Sequence, residues 1–231
     1  ATIEGASFIC LHFEGADPNG ADRSVDECVA DAKAVAEAVD LPIVIMGCKN
    51  NEKDSDLFNK CSEALQGKNI LVLAAKEETY KAVGASAGLA YGQKVGAESS
   101  VDINLAKQLN VLLTQLGVKQ DSIVMHVGTA AAGYGYEYVV STMDRIKAAA
   151  LQQGDATLQM PIITPVAEEA WNVKEAMASE DDMPEWGNQE ERGIGMEVST
   201  AASVLACGSN AVILKHPTSV ATISKLIKEM M

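Results

Sequence analysis

Apolar positions along this chain follow two alternating rhythms. Short, nearly continuous apolar runs stand at Ser7–Phe13, Pro42–Met46, Asn69–Ala74, Lys94–Glu98, Ser122–Val127, Met160–Pro165 and Ala211–His216. Each is followed by a longer stretch in which apolar side chains recur every three or four residues. The first rhythm predicts a strand and the second an amphipathic helix. Ile43-Val44-Ile45-Met46 and Ile70-Leu71-Val72-Leu73 are unbroken, as parallel strands covered on both faces require. Seven strand–helix units over 231 residues come to about 33 residues each, near the spacing of an eight-unit barrel of about 250 residues.

The helix boundaries are marked by side chains. Ser24-Val25-Asp26-Glu27 has the form of a capping box, and Val29, Lys33, Val35 and Val39 follow it at amphipathic spacing. Asp102 is placed to cap a helix carrying Leu105, Leu109, Leu112 and Leu116, which Gly117 stops. The stretch Tyr136–Leu151 puts Tyr138, Val139, Met143, Ile146 and Ala150 on one stripe, expected to be core packing. Ala178–Gly193 is long and acidic and holds Pro184, Trp186 and Gly187; loops of that length tend to be functional or mobile.

These elements predict an α/β fold, a TIM (β/α)8-type parallel barrel, as a single domain over residues 1–231. Seven units are one fewer than closure needs. Thr2–Ala6 reads as the tail of a helix, so the first strand–helix unit is expected to be missing from this chain. An open doubly wound sheet, which needs no missing piece, is the alternative.

Composition narrows the function. Apolar residues make up 48% and charged residues 22%, the balance of a globular protein with a sizeable core. No run approaches the roughly 18 apolar residues of a membrane-spanning helix. The net charge of −14 repels phosphate backbones and anionic bilayers, so neither nucleic acid nor membrane is an expected partner. The five cysteines, Cys10, Cys28, Cys48, Cys61 and Cys207, are scattered, which suits buried thiols in a reducing, cytoplasmic setting rather than disulfides or a zinc site. His12, His126 and His216 are too dispersed for a helical metal pair, and no metal of its own is expected. His12 and His126 fall inside strands and are expected to be buried; His216, before Pro217, closes the last strand.

The active face of a parallel barrel is built from the loops after the strands. Here those loops hold Glu14–Gly20, Gly47–Asn51, Ala75-Lys76, Ser99-Ser100, Gly128–Gly135, Thr164-Pro165 and His216-Pro217. They are rich in small and amide residues and poor in bases, with no G-x-S-x-G elbow, Cys/His pair or H-E-x-x-H. Gly128–Gly135 fits neither a phosphate loop nor a dinucleotide fingerprint; it reads as a tight turn or, alternatively, as exposed amides at a helix start that hold an anion or the polar rim of a cofactor. Such a face suits presenting or covering a cofactor better than proton transfer, and no autonomous catalytic constellation is visible.

Five collinear segments carry a family resemblance. They are Gly15–Ala21 with Ser24–Ala30, Asp102–Asn110, Gly133–Tyr138 through Met143–Ile146, Trp186-Gly187 to Glu191-Arg192-Gly193, and His216-Pro217. Together they resemble the small (delta) subunit of the corrinoid iron–sulfur protein of the acetyl-CoA decarbonylase/synthase system. The resemblance implies a barrel that does no bond-making chemistry alone and pairs with a large (gamma) subunit carrying a cobamide and an iron–sulfur cluster. It implies a cobamide shared at that interface, and transient contacts with a pterin methyltransferase and with acetyl-CoA synthase. The residues expected to face the cobamide or the partner are Asp17, Asn19, Asp102, Asn104, Gly133, Tyr134, Gly135 and Thr164. Two rivals stand beside this reading: a pterin-binding methyltransferase barrel that binds the methyl donor itself, and a purely structural assembly subunit.

Overall fold

The computed structural model of the chain describes residues 5–230. The helix tail expected over Thr2–Ala6 falls mainly on residues outside that range. The chain divides into two compact units. Of the described residues, the N-terminal unit comprises Ser7–Ser99 and Asn104–His126; the C-terminal unit comprises Ser100–Ile103 and residues 127–230, with Gly5 and Ala6.

In the N-terminal unit, strands β1 (Ile9–His12), β2 (Ile43–Met46), β3 (Leu71–Ala75), β4 (Lys94–Glu98) and β5 (Ile123–His126) form one sheet in the order β1-β2-β3-β4-β5. Every pairing is parallel, with Ile9 opposite Ile43, Val44 opposite Leu71 and Val95 opposite Ile123. The connecting helices are α1 (Val25–Ala38), α2 (Asn51–Ala64), α3 (Tyr80–Val83), which continues as a π-helix over Gly84–Ala90, and α4 (Ile103–Leu116). All four residues of β2 are buried, the condition its unbroken apolar run predicted.

Local chemistry sets these helices in place. The expected capping box forms: the Glu27 amide donates to Ser24 Oγ at 3.3 Å and the Ser24 amide to Glu27 Oε2 at 2.8 Å. Asn50 caps α2 by accepting from the Lys53 amide at 3.0 Å. Gly84 and Gly88 let the π-helical segment lie directly on α4 and the residues after it. A Cβ at Gly84 would stand 2.8 Å from Leu116, and one at Gly88 2.8 Å from Val118. Buried Gln93 accepts from the Ile70 amide and donates to the Ser62 and Leu65 carbonyls, so a buried amide is satisfied while it ties α2 to the entry of β3.

The C-terminal unit runs through α5 (Tyr136–Gln152), β6 (Ile163–Thr164), α6 (Val166–Ala170), α7 (Lys174–Met177), α8 (Gln189–Ala206), β7 (Ala211–Val212) and α9 (Pro217–Met230). β6 and β7 pair in parallel over two residues each. They are shorter than the apolar runs that contain them because side chains and single amides take over at their ends. Asn210 Oδ1 accepts from the Ile162 amide at 2.9 Å, and the Ile213 carbonyl accepts from the Ala167 amide at 3.0 Å. Both units thus alternate parallel strand and helix, seven strands among the described residues.

Three expectations are corrected. His12 is exposed rather than buried, whereas His126 is buried; none of the four residues of β1 is buried, while three of the four in β5 are. Val139, Met143, Ile146 and Ala150 are core residues of α5, but Tyr138 is not: it sits in the first turn, with its ring against Gly135. Ala178–Gly193 is not one loop. Its last residues begin α8, Pro184–Trp186 form a 3-10 turn, and the remainder is tied down by the contacts described below.

Candidate functional site

In the N-terminal unit the residues after each strand are held mostly by near neighbours. Asp17 closes an Asx turn, its Oδ1 accepting from the Asn19 amide at 2.9 Å and from Asn19 Nδ2 at 3.2 Å. Asp17 is half-buried and Asn19 exposed, and Asn104 is exposed on the first turn of α4. After β2, buried Asp54 accepts from the Cys48 amide at 2.7 Å and from Cys48 Sγ at 3.2 Å. Gly47 makes room for that carboxylate, since a Cβ there would lie 2.3 Å from Asp54. Burial, aided by Asp54, pushes the Cys48 thiol up to about 11, so it stays protonated and is a poor nucleophile. Lys76, after β3, reaches Glu98, at the end of β4, at 3.9 Å.

In the C-terminal unit the residues between β4 and α4 are strained and exposed. Ser100 and Val101 have φ of 45° and 60°, a conformation that a β-branched residue adopts at a cost of about 1–3 kcal/mol. The Val101 amide donates to the Val127 carbonyl at 2.7 Å, and its carbonyl accepts from Thr142 Oγ1 at 3.0 Å. Asp102 is exposed just ahead of α4. After β5, Gly133 and Gly135 take φ of 84° and 88°, which glycine adopts freely. The loop is the tight turn its sequence suggested: the Tyr134 amide bonds to the Ala131 carbonyl, and the Ala132 amide to Thr200 Oγ1 at 3.0 Å.

Tyr134 donates its phenol to Glu175 Oε2 at 2.7 Å. That bond holds the phenol above its ordinary pKa and the carboxyl below its own, so the proton rests on the tyrosine. Thr164 is fully enclosed, its hydroxyl shared with Ser209 at 2.9 Å. Among the eight exposed large hydrophobic side chains of the described residues, five stand between β4 and β7: Val101 (43% exposed), Tyr134 (49%), Tyr138 (67%), Leu151 (80%) and Met177 (63%).

One helix organises this side. Along α8, Glu190, Gly193, Glu197 and Thr200 fall three or four residues apart and therefore share a face. Glu190 bonds His216 Nε2 at 2.9 Å. Gly193 receives the Trp171 ring, and a Cβ there would stand 2.2 Å from it. Glu197, fully buried, accepts from the Lys215 amide at 2.5 Å and the His216 amide at 3.2 Å. Thr200 holds the β5 loop through Ala132. Beside this stripe, Arg192 donates to the carbonyls of Glu175 at 2.8 Å, Gly187 at 2.7 Å and Ala178. Its guanidinium also lies 5.8 Å from the Trp186 ring centroid. Trp171 packs with Ala131, Val173, Ala176 and Met196 and stacks on His216 at 5.8 Å between centroids.

The expected residues thus occupy separate parts of the chain. Asp17, Asn19 and Asn104 belong to the N-terminal unit; Asp102, Gly133, Tyr134, Gly135 and Thr164 to the C-terminal one. Sequence reasoning missed Trp171, Glu175, Glu197 and Thr200. For Glu197 and Thr200 the signal was a row of polar and small residues at helical spacing along α8; Trp171, after α6, and Glu175, in α7, had none. Among the described residues no three His, Cys, Asp or Glu side chains group to hold a metal ion, and no helix is long and apolar enough to cross a membrane.

The geometry can be set beside known proteins. Solved structures with a similar fold include dihydropteroate synthase of Yersinia pestis with a pterine-sulfa conjugate. Its TM-score is 0.65 at 12% identity, over 98% of this chain and 83% of that one. Dihydropteroate synthase of Clostridium difficile with pteroic acid follows at TM-score 0.57 and 16% identity, over 96% of this chain and 82% of that one. At such identities the likeness shows the fold, a TIM-type parallel α/β barrel, here with seven strand–helix units among the described residues.

Curated relatives are closer in sequence. The acetyl-CoA decarbonylase/synthase complex subunit delta 1 of Methanosarcina thermophila is 33% identical over 97% of this chain and 52% of its own length. The subunit delta of Archaeoglobus fulgidus is 34% identical over 98% of this chain and 50% of its own. The chain therefore spans about half the length of the curated relatives it matches. The profile of the family described as CO dehydrogenase/acetyl-CoA synthase delta subunit matches residues 3–221. On this evidence of sequence and fold together, the chain belongs to the CO dehydrogenase/acetyl-CoA synthase delta subunit family.

Proposed function

We propose that this chain is a non-catalytic barrel of the corrinoid iron–sulfur methyl carrier. In this reading it shelters a cobamide held by a large corrinoid and iron–sulfur subunit while a methyl group passes from methyl-tetrahydropterin to acetyl-CoA synthase. The observation that carries the reading is the exposure of Val101, Tyr134 and Tyr138, which lie between a strand end and the first turn of the following helix in the C-terminal unit. Three large apolar side chains left in water beside glycine turns, with no proton-transfer constellation among them, suit covering a ligand rather than transforming it.

The side chains present fit a cobamide in chemical kind. Tyr134, Tyr138 and Val101 offer aromatic and aliphatic surface, and Asp102, Tyr134 and the amides around Gly133 and Gly135 offer hydrogen bonds for its peripheral amide groups. Asp17, Asn19 and Asn104 offer the same chemistry on the N-terminal unit. Enclosed Thr164 supports the β6 end through Ser209 instead. The bound group would supply a cobalt centre able to carry methyl; the part of this chain is to exclude water and competing nucleophiles.

Anaerobic size exclusion of the natively isolated protein tests this. The expected result is a larger companion with corrinoid and iron–sulfur absorption bands, and loss of that companion on Tyr134→Ala/Tyr138→Ala. A colourless lone chain from cells shown to contain the large subunit would overturn it. The rival reading, a barrel that binds the pterin methyl donor itself, is supported by the Lys76–Glu98 pair at the ends of β3 and β4. It predicts micromolar binding of methyl-tetrahydropterin to this chain in isothermal titration, with that affinity lost on Lys76→Ala.

A further inference from the structure

We propose that His216 is a proton-operated cap on α9. Its ring Nδ1 accepts from the Thr218 amide at 3.1 Å while Nε2 lies 2.9 Å from Glu190 Oε1. An amide is a donor at every pH. The ring nitrogen facing Thr218 therefore carries a lone pair, and the neutral ring holds its proton on Nε2, directed at Glu190. Pro217, the first residue of α9, has no amide hydrogen, so Thr218 supplies the first helix-end donor that needs an acceptor. His216 Nδ1 takes the place that a serine or asparagine oxygen takes in an ordinary cap.

Protonation reverses that bond. The imidazolium carries hydrogen on both nitrogens, so Nδ1–H would face the Thr218 N–H, donor against donor. The ring must turn from α9, and a positive charge would otherwise stand at the helix N-terminus, where the macrodipole opposes it. The Glu190 bond pulls the other way, because it gains charge assistance on protonation. The charged groups around the ring are Glu190 and Glu197 from α8, which favour the imidazolium, and Lys215 from its own loop, which opposes it. Lys215 Nζ lies 5.7 Å from the Trp171 ring centroid, and Trp171 itself faces His216 with planes 26° apart. Acid pH thus exchanges the cap of α9 for a stronger pair with α8. The main-chain bond from His216 to Glu197 keeps the residue in place throughout.

The proposal does not depend on a corrinoid partner and is tested on the chain as it stands. Amide exchange at Thr218 is followed by NMR from pH 8 to pH 5, with the His216 ring signals reporting its own titration. The expected result is a loss of Thr218 protection by about fivefold, after correction for the intrinsic exchange rate, tracking that titration. His216→Asn, a cap that does not titrate, should stay protected throughout, and His216→Ala should be unprotected throughout. Replacing Trp186 with Phe leaves Trp171 as the chain's one indole, and its emission should be quenched by the imidazolium at the same pH. Unchanged Thr218 protection while His216 titrates would overturn the proposal. So would a step of the same size in His216→Asn, or full protection in His216→Ala.

Discussion

In the N-terminal unit the strand-end contacts run mostly over a few residues. Asp17 binds Asn19, Asp54 binds Cys48, and the Lys76 amide binds Thr79. In the C-terminal unit the partners are distant in sequence: Tyr134 with Glu175, Ala132 with Thr200, Lys215 and His216 with Glu197. The sheets differ in step, with strands of four or five residues in the first unit and of two in the second. Where backbone ladders are long, a loop needs little more than a local turn. Where they are short, side chains must supply the missing bonds, and here one face of α8 supplies several of them. Dependence is therefore spread out in the first unit and concentrated in the second.

The most damaging way to probe that concentration is Glu197→Gln. A carboxylate accepts two amides; an amide side chain accepts one and turns a donor towards the other. Leaving a buried N–H opposed is expected to cost about 3 kcal/mol. Thermal unfolding gives the loss, and hydrogen exchange should place it at Lys215 and His216. A variant as stable as wild type would mean that α8 does not hold this corner. Next in size is Gly193→Ala, whose Cβ would stand 2.2 Å from Trp171. Displacing an indole packed on Ala131, Val173 and Ala176 is expected to cost about 2 kcal/mol, with Trp171 fluorescence shifting accordingly.

Alkali should weigh most on the other unit, which holds three of the four thiols that burial raises. Cys28, Cys48 and Cys61 are buried there, and burial raises all three thiols, Cys61 to about 12. An unfolded chain releases thiol protons from about pH 8.5. Stability carried by a protonated native thiol is therefore complete below that pH and declines as pH rises towards the native value. For Cys61 the slope approaches about 1.4 kcal/mol per pH unit. Denaturant midpoints between pH 8 and 10.5 measure it, and Cys61→Ala should flatten the slope even though its midpoint is lower at every pH. An unaltered slope would remove Cys61 from the account.

The strands were legible because burial on two faces writes an unbroken apolar run. Each of the seven runs meets a strand, β3 passing the end of its run by one residue at Ala75, and β4 has the bounds its sequence indicated. The capping box and the stop at Gly117 were legible because each involves residues within one turn. The ends of β6 and β7 were not, since Asn210 and single amides from distant residues close them. The candidate site divides the same way. Gly133, Tyr134 and Gly135 announce a turn through their own conformational needs. Glu197 and Thr200 act across 18 to 68 residues, and nothing near them in the chain says what they will meet.

The smallest expected effect tests the local side of the comparison. Ser24→Ala removes the hydroxyl that accepts the Glu27 amide and donates to the Glu27 carboxylate, leaving that carboxylate only the bond from the Ser24 amide. Losing a serine cap costs about 1 kcal/mol at neutral pH. The bonds from Ser24 hold the Glu27 carboxyl below its ordinary pKa. A carboxylate lowered in the native state contributes its stability above the unfolded value of about 4.3 and loses it as pH falls through the lowered one. The gap between wild type and Ser24→Ala should therefore be full at pH 7 and narrow on acidification below pH 4. Faster exchange should stop within the first turns of α1, because that cap serves one helix. If it spread through the N-terminal sheet, the first unit would be as concentrated in its dependence as the second.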